Sequence, residues 1–560
     1  MLKIPYGESH FESLRTQGYL YVDKTRFIEE VEKTRRFLHL RPRRFGKSLF
    51  LSMMDCYYDV AMADRFDELF GGLHVHEFPT ENRNSYYMLR FNFSGVQNTK
   101  LENLEQGFVA KVKDGAQAFI DRYDFDIKLV ESNSAAIILG SLLSSFAALK
   151  LPNKVYMLID EYDHFTNSVL SGDGEEFLTV LRRGGFVRAF YEVIKEKSEL
   201  GIVERLFITG VMSVSLDSMT SGFNIAKNMT TNARYADVVG FTSEEVKDVL
   251  KKIGLSEEAQ ESTYEVFREN YNGYLFSEES DVRIFNSTLI NYYLSEWQDN
   301  GNPPKSLVDV NLNQSGTTIG NIVDLKNREA NYELIGQIVE DKEVIGELQP
   351  FINIDKKFDE DDVITMLYNI GILTIQNIEG RIRFVMPNKI IERICYKYLS
   401  DLTQKKADYQ VNGRKRTVAL RVLEETGDIE PITKLAEEFL THISNRNLRK
   451  FDEKYVKLVY FMFLASTDQL LVYNEFPARN GFIDLLIKKS PGSNAKYGSI
   501  IEFKYIKKSD TTDAKIESEL VEGIAQIEEY SKDERISKIP NLKKYVIVFS
   551  GYEVVKLQEL

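Results

Sequence analysis

Three neighbouring residues near the start of the chain are of types that bind phosphate. Gly46, Lys47 and Ser48 follow the apolar run Phe37–Leu40. A turn of this kind between a strand and a helix offers backbone N–H groups, an ammonium and a hydroxyl to phosphate oxygens and Mg²⁺. Arg41 stands five positions before Gly46, where the usual phosphate-loop pattern has a glycine. On these residues alone, a plain strand-to-helix turn with a solvated lysine is an open alternative.

A second stretch supplies the acids that such a loop needs. The segment "VYMLIDEYD" is an apolar strand that ends in Asp160 and Glu161. We expect Asp160 to hold Mg²⁺ through water and Glu161 to orient or deprotonate an attacking water. A later strand, "RLFITGV", ends in Thr209, which we expect to sense a γ-phosphate. Solvated acids at a strand end are the alternative, but the order of loop, acids and further strand favours a nucleotide site.

A third group of acids lies near the end of the sequence. Asn480-Gly481 predicts a hairpin that pairs Leu470–Phe476 with Phe482–Lys488. Asp484 lies inside the second of these strands, in an apolar context where a carboxylate needs a cation. Glu502 and Lys504 share one face of the following strand. An amphipathic strand with a solvated glutamate and lysine is the alternative for that pair.

Composition limits the classes of protein to which the chain belongs. Its 560 residues exceed the size of one hydrophobic core, and 43% apolar with 28% charged residues argue against disorder. A net charge of −14 gives no global basic field, so nucleic-acid binding must be local. Cys56 and Cys395 are too few for a disulfide framework or a cysteine zinc site, which fits a cytoplasmic location. The first residues lack a signal-peptide core, and no apolar run is long enough to span a membrane.

The elements that must position these residues form several domains. Alternating short strands and longer helices up to about Val239 predict a mainly parallel sheet, with strands at Phe37–Leu40, Tyr87–Phe93, Val155–Asp160 and Leu206–Thr209. Thr242 and Glu245 predict a capping box that begins a helical stretch to about Trp297. The polar segment "NLNQSGTTIGN" reads as a loop. A helix, two strands around Glu379-Gly380 and a second helix then predict a winged-helix-like region.

Several motifs together resemble the AAA-ATPase-like proteins of bacteria, from about residue 4 to residue 399. They are "YLYVDKT", "RPRRFGKS", "LIDEYD", "ITGV", "GFTSEEV", "YNGYLF", "LYNIGILTI" and "MPNKIIERI". The phosphate loop of that family typically reads RPRRFGK followed by Ser or Thr, so Arg41 belongs to its pattern, whereas "YNGYLF" differs from the usual Asp-Gly-Tyr form. The resemblance implies ATP and Mg²⁺ at the loop, with Arg44 and Phe45 among its nucleotide neighbours and Ser48 and Asp160 at the metal.

The final part of the chain, from about Phe451, resembles the PD-(D/E)XK nuclease domain that often follows this ATPase module. The resemblance implies that Asp484 and Glu502 hold Mg²⁺ and that Lys504 positions a water or neutralises charge in the transition state. Glu453 matches an acidic residue of the first helix of such domains, and Gln526 matches a glutamine on a later helix. A solvated helix start and the border of an apolar stripe are the alternatives for these two residues.

The resulting expectation is an α/β multidomain protein. Its predicted segments are a P-loop domain at 1–240, a helical lid at 241–300, a winged-helix-like region at 301–400, a helical connector at 401–450 and a nuclease-like domain at 451–560. One hypothesis is an ATP-binding protein whose Mg²⁺-dependent domain cuts DNA or RNA. We expect nucleic acid as its partner, no membrane association and a homo-oligomer as one assembly open to it. The other is a nucleotide-gated regulatory protein whose last domain binds but does not cleave.

Overall fold

The computed structural model describes most of the chain. The described residues are 2–96, 101–164, 185–213, 225–309, 314–324, 327–352, 358–376, 381–444 and 453–560. They form two compact units, the first made of Met1–Ser295, Thr318–Leu334 and Glu343–Lys389, the second of Glu296–Thr317, Ile335–Lys342 and Ile390–Leu560. The finer boundaries of the five predicted segments stay predictions. Within the described residues, no helix is both long and apolar enough to cross a membrane.

The first unit is built on a parallel sheet with the strand order β2-β3-β4-β1-β5. Its strands are β1 (Arg36–Leu40), β2 (Tyr86–Asn92), β3 (Lys154–Asp160), β4 (Val203–Gly210) and β5 (Lys227–Asn228). The four predicted strands are confirmed, whereas β5 was not predicted because two residues show no periodicity. Since parallel strands end at one edge of a sheet, the loop after β1 and the acids after β3 lie at the same edge.

Two helices precede the first strand of this sheet, and the others lie between its strands. They are α1 (Phe11–Thr16), α2 (Phe27–Glu32), α3 (Lys47–Tyr58), α4 (Phe66–Phe70), α5 (His74–Glu77), α6 (Leu101–Tyr123), α7 (Ala135–Ala148) and α8 (Phe186–Glu199). The Ser134 side chain caps α7, and Ile138, Leu142 and Phe146 of this helix are buried. Their helical spacing explains why the apolar run there is a core helix.

The predicted lid is helical only in part. Thr242 and Glu245 form the expected capping box at the start of α9 (Ser243–Lys252), and α10 (Glu257–Asn270) and α11 (Ser287–Asn300) follow. The prediction of one helical stretch is wrong between α10 and α11, where Tyr274 pairs with Ile284 in an antiparallel bridge. Gly273 starts this extended segment with φ 101°, a conformation that favours glycine.

The middle region combines helices with a small antiparallel sheet of order β6-β8-β7. Its elements are α12 (Gln314–Val323), α13 (Arg328–Asp341), β6 (Glu343–Gly346), α14 (Glu360–Asn369), β7 (Thr374–Gln376), β8 (Ile382–Val385) and α15 (Lys389–Ala407). The predicted helix, two strands and helix are confirmed, while the turn at Glu379-Gly380 lies outside the described residues. The loop prediction for 311–321 is wrong from Gln314 onward, because Ile319, Ile322 and Val323 bury an apolar stripe of α12.

The second unit contains a mixed five-stranded sheet of order β13-β12-β11-β10-β9. The helices α16 (Gly413–Thr426), α17 (Glu430–Ser444) and α18 (Glu453–Leu464) precede it, and the later elements are β9 (Leu470–Ala478), β10 (Gly481–Lys489), β11 (Gly498–Ile506), α19 (Asp513–Tyr530), α20 (Glu534–Ser537), β12 (Leu542–Ser550) and β13 (Glu553–Glu559). The predicted hairpin is confirmed. Its turn lies at Arg479-Asn480, one residue earlier than expected, because Ala478 pairs with Gly481.

Candidate nucleotide and metal sites

The loop between β1 and α3 has the backbone of a phosphate-binding turn. Gly46 adopts φ 94°, and α3 begins at Lys47, so its N-terminal N–H groups face the space above the loop. The Lys47 ammonium donates to the carbonyl oxygens of Arg41 and Pro42, at 3.0 Å each. Burial lowers the pKa of Lys47, while Asp160 opposes that shift. The lysine is thus held inside the loop, at a place where phosphate oxygens would replace the two carbonyls.

Arg41 is a structural residue of this loop. Its guanidinium is buried and donates to the carbonyl oxygens of Leu40 (2.8 Å), Thr230 (2.7 Å) and Tyr235 (2.8 Å). It also lies 4.2 Å from the centre of the Phe276 ring. A glycine at this position would remove these three hydrogen bonds, so the arginine ties the loop to the stretch from Thr230 to Tyr235.

Phe45 and Arg44 hold the loop in a different way. The Phe45 ring packs edge-on against Tyr274 at 4.9 Å and Phe276 at 5.4 Å, and its carbonyl accepts from Gly240 N–H at 2.8 Å. Arg44 has the left-handed φ of 70° and accepts from Thr288 N–H at 3.3 Å through its carbonyl. Both residues therefore position the loop, and the "YNGYLF" motif meets the phosphate loop at Phe45.

The acids after β3 meet the start of α3 as the sequence predicts. Ser48 Oγ donates to Asp160 Oδ2 at 2.6 Å, which brings both expected magnesium ligands together. Burial raises the pKa of Asp160, and the Ser48 hydroxyl opposes that rise. Glu161 has φ 51°, and its Oε2 lies 3.3 Å from Nδ1 of His164. The His164 contact lowers the pKa of Glu161, so the carboxylate is ionised.

Thr209 lies at the end of β4, between β3 and β1, as expected. Its hydroxyl is buried and donates to the His39 carbonyl at 2.7 Å, so this hydrogen is already used within the sheet. Asp163 was not singled out from the sequence. It accepts from the N–H groups of Val211 at 3.1 Å and Met212 at 2.6 Å, and thereby fixes the chain that leaves β4.

A cavity of about 370 Å³ lies against this loop. Its lining includes Tyr21, Lys24, Arg43, Lys47, Glu161 and Phe241. The volume is in the range of small-molecule pockets, and the lining combines cations with apolar and aromatic surface. Lys24 is fixed in the wall by Glu245 Oε2 at 2.7 Å and the Asp237 carbonyl at 2.9 Å. The pocket therefore fits a nucleotide whose phosphates lie at the loop.

The second unit brings the expected carboxylates together on adjacent strands. Leu485 pairs with Ile501, and extending this antiparallel register by one residue places Asp484 opposite Glu502. Asp484 Oδ2 accepts from Phe503 N–H at 2.8 Å, which ties the aspartate to β11. Both carboxylates are buried, at 8% exposed for Asp484 and 4% for Glu502. Two acids facing each other in an apolar sheet are costly without cations.

Glu502 carries that cost most clearly. Its Oε2 atom is buried without a hydrogen-bond partner among the described residues. Burial raises the pKa of Glu502 to about 8, and the Asp484 carboxylate adds to the rise. An acid held in this way favours either a proton or a bound metal ion.

Lys504 follows on the same face of β11. Its ammonium lies 3.7 Å from Glu502 Oε1 and donates to Glu522 Oε1 at 2.9 Å. Glu522 belongs to α19, and no motif in the sequence singles out this exposed glutamate. Gln526, one turn further along α19, carries a buried amide oxygen without a partner among the described residues. The helix therefore adds two polar groups beside the strand of the expected Glu-x-Lys pair.

Lys457 is a residue of this candidate site that sequence reasoning missed. It lies on α18, four residues after Glu453, and its ammonium contacts Asp484 Oδ1 at 2.5 Å and Glu453 Oε1 at 2.6 Å. Burial disfavours its charge, but the attraction and hydrogen bonds of Asp484 and Glu453 together outweigh burial and raise the pKa of Lys457. The i, i+4 spacing of Glu453 and Lys457 is the signal that would have placed them on one helix face.

The donor set suits a hard divalent cation. Mg²⁺ prefers oxygen ligands and keeps several waters, so one or two carboxylates are enough. Asp484 supplies one oxygen, and the unpartnered Oε2 of Glu502 supplies a second. The described residues contain no group of three or more histidine, cysteine or acidic side chains arranged as a metal site. Asp484 and Glu502 are the two carboxylates that could hold such an ion together with water.

Two separate parts of the chain match known protein families. Residues 5–220 match the family described as predicted AAA-ATPase, and residues 451–559 match the PD-(D/E)XK nuclease superfamily. An uncharacterised protein in the vnfD 5′ region of Azotobacter chroococcum mcd 1 is 28% identical over 309 residues, which are 54% of this chain and 54% of that protein. The chain thus spans about half the length of that curated relative. It carries an AAA-ATPase-like segment followed by a C-terminal segment of the PD-(D/E)XK nuclease superfamily.

Proposed function

We propose that the protein binds and hydrolyses ATP with its first unit and cuts nucleic-acid phosphodiesters with its second, using Mg²⁺. The observation that carries the cleavage part is the Glu502 carboxylate, which is buried opposite Asp484 and has one oxygen without a hydrogen-bond partner in the described part of the chain. A sheet keeps such a group only where something compensates its charge. A bound metal ion is the compensation that the superfamily match favours.

At the nucleotide site, the chain's own groups have separate roles. The N–H groups at Gly46 and the start of α3, together with Lys47, would bind the phosphates of ATP, and Ser48 and Asp160 would hold Mg²⁺. Glu161 is ionised, with Nδ1 of His164 3.3 Å from its Oε2, and it would accept a proton from the attacking water. The Thr209 hydroxyl already donates to the His39 carbonyl. Thr209 would therefore contribute to the site by fixing the end of β4 against β1. Arg44 and Phe45 keep the loop in position.

At the second site, Asp484 and Glu502 would hold Mg²⁺, which when bound activates water and stabilises charge on phosphorus. Phe503 N–H orients Asp484, and Glu522 orients the ammonium of Lys504. Lys504 would neutralise the charge that develops on the phosphate in the transition state. Gln526 offers an amide oxygen to the same region. These residues make hydrolysis of a phosphodiester the reaction that the site supports best.

Nucleotide binding is tested by stability. A ligand that binds only the folded state stabilises it, by about 2.7 kcal/mol at a concentration of 100 Kd. We expect ATP with Mg²⁺ to raise the melting temperature of the wild-type chain and to have no such effect on Lys47→Ala. Lys33→Ala, which removes a surface lysine paired with Glu30, should respond as the wild type does. A wild-type protein that shows no shift would contradict the nucleotide site.

Cleavage is tested with plasmid DNA, single-stranded DNA and RNA, each with Mg²⁺ or Mn²⁺. We expect the wild-type chain to cut at least one of them and Asp484→Asn to lose about 10²-fold or more of the rate, because the variant removes a charged metal ligand. Asp510→Asn, on an exposed residue of the same unit, should cut normally. An Asp484→Asn variant that cuts as fast as wild type would overturn the assignment.

The same assay separates the two functional classes. If no substrate is cut while ATP still stabilises the chain, the protein is a nucleotide-gated binding protein with an inactive last domain. We propose a cytoplasmic location, which the two buried free thiols Cys56 and Cys395 support. We also propose nucleic acid as the partner and a possible homo-oligomer as the assembly.

A further inference from the structure

Lys457 forms an ion pair with Asp484, one of the two carboxylates of the proposed metal site. Its ammonium lies 2.5 Å from Asp484 Oδ1, while the other oxygen of Asp484 accepts from Phe503 N–H. Each oxygen of Asp484 therefore already has one partner, and that of Oδ1 is a cation. The Lys457 side chain is 14% exposed, so water screens this ion pair only weakly.

Glu502 has no comparable partner. No described residue is a hydrogen-bond partner of its Oε2, and the Lys504 ammonium lies 3.7 Å from Oε1 and donates to Glu522 instead. The two lysines of the site thus differ. Lys457 contacts a proposed metal ligand, Asp484, directly, whereas Lys504 lies near the other ligand, Glu502, and is hydrogen-bonded elsewhere.

An ammonium and a divalent metal ion cannot both be held tightly on Asp484 Oδ1. Mg²⁺ binds carboxylate oxygens at about 2.1 Å, so a metal on that atom would lie within a few ångströms of the Lys457 charge. Two cations at such a separation in a poorly hydrated site repel each other strongly. Glu453, half-exposed and one helical turn away, already contacts Lys457 at 2.6 Å and remains as its partner after displacement.

We propose that Lys457 is a built-in competitor of the metal ion: it neutralises Asp484 while the site is metal-free, and it moves toward Glu453 when the metal binds. The inference rests on the proposed metal-dependent function. Lys457 is then a positioning residue that sets the metal concentration at which the site loads. When metal is scarce, Lys457 compensates the charge of Asp484 and thereby stabilises the second unit.

The first test uses the unmodified full-length chain. An amine-acetylating reagent is applied with and without Mn²⁺, and the labelling rate of each lysine is read by peptide mass spectrometry. Mn²⁺ should raise the labelling rate of Lys457 several-fold, because the ammonium leaves its buried ion pair, while the surface residue Lys538 stays constant. An unchanged or slower rate at Lys457 overturns the proposal.

The second test measures Mn²⁺ affinity by the electron paramagnetic resonance signal of free Mn²⁺. Lys457→Met should bind about tenfold more tightly than wild type, because no ammonium has to be displaced. Lys504→Met, which removes an equal charge from the same site, should tighten binding clearly less. If both variants bind Mn²⁺ more tightly to the same extent, Lys457 acts only through the overall positive charge of the site. That result overturns the proposal.

The outcomes also separate this inference from the proposed function. If wild type and Lys457→Met bind Mn²⁺ with equal affinity, and Asp484→Asn does not bind it, the metal site stands and the competitor role falls. If neither wild type nor Lys457→Met binds Mn²⁺, both the metal-dependent function and the competitor role fail. The labelling test needs no variant, so the proposal stays testable if Lys457→Met does not fold.

Discussion

At the scale of single residues, three groups have roles set by burial rather than by their type alone. Arg41 belongs to the phosphate loop but does not line the cavity beside it. Its guanidinium donates instead to the carbonyls of Thr230 and Tyr235. Glu502 is a buried acid whose Oε2 has no hydrogen-bond partner among the residues that the structure describes, and Lys457 is a partly buried ammonium between two carboxylates. Each becomes functional through what surrounds it, which the sequence does not display.

The Glu502 carboxyl predicts a pH dependence of stability in the metal-free protein. Its pKa in the folded state is about 8, well above the roughly 4.3 of an unfolded chain. Between these values the folded state holds a proton that the unfolded state has lost, so stability falls as pH rises. We expect Glu502→Gln, which cannot ionise, to be more stable than wild type by about 1–3 kcal/mol at pH 8 and nearly equal at pH 5.

Urea unfolding in EDTA at the two pH values measures this difference. Glu517→Gln, an exposed glutamate on α19, is the matched control and should behave as wild type at both. A Glu502→Gln variant whose advantage does not grow from pH 5 to pH 8 would contradict a neutral, buried Glu502.

At the scale of elements, the phosphate loop is held by segments far along the chain. Arg41 bonds to the stretch that follows β5, and Phe45 packs on the extended segment between α10 and α11. Gly273 lies in that segment, where a Cβ atom would come within 1.9 Å of the Pro387 carbonyl oxygen. The loop, the lid and the approach to α15 therefore depend on each other for their shape.

Replacing Arg41 by the glycine of the usual phosphate loop is a test of this dependence. Arg41→Gly leaves several buried carbonyls without a donor, each at a cost of about 1–3 kcal/mol, so we expect a marked loss of stability and weaker ATP binding. Thermal unfolding with and without ATP measures both. Arg43→Gly, an exposed residue of the same loop, should retain most of the stability. If Arg41→Gly is as stable as wild type, the arginine does not hold the loop.

The elements were largely predictable, since strands and helices with strong apolar periodicity appear where the pattern put them. The four strands of the first sheet, the capping box at Thr242 and the β9–β10 hairpin are examples. Predictions failed where tertiary contacts decide: β5 is two residues long, and the stretch after α10 is extended because Tyr274 pairs with Ile284. At the sites, spacing found Asp484, Glu502 and Lys504 but not Lys457, since contacts across elements leave no local pattern.

At the scale of the whole molecule, the chain contains two units that each carry an acid-rich site. The first joins the phosphate loop to Asp160 and Glu161, and the second joins Asp484 to Glu502 and Lys457. The matches to an AAA-ATPase family and to a nuclease superfamily fall in the same order along the sequence. With the proposed ATP site and the proposed cleavage site in one chain, we propose that nucleotide controls cleavage.

The most direct measurement is therefore the rate of nucleic-acid cleavage by the full-length chain with and without ATP, at constant free Mg²⁺. We predict that ATP changes the rate of the wild type several-fold, that Lys47→Ala cuts at one rate regardless of ATP, and that Asp484→Asn does not cut. Glu161→Gln, which binds but does not hydrolyse, distinguishes an effect of binding from one of hydrolysis. A wild-type rate that ATP leaves unchanged, or cleavage that survives in Asp484→Asn, would contradict the account.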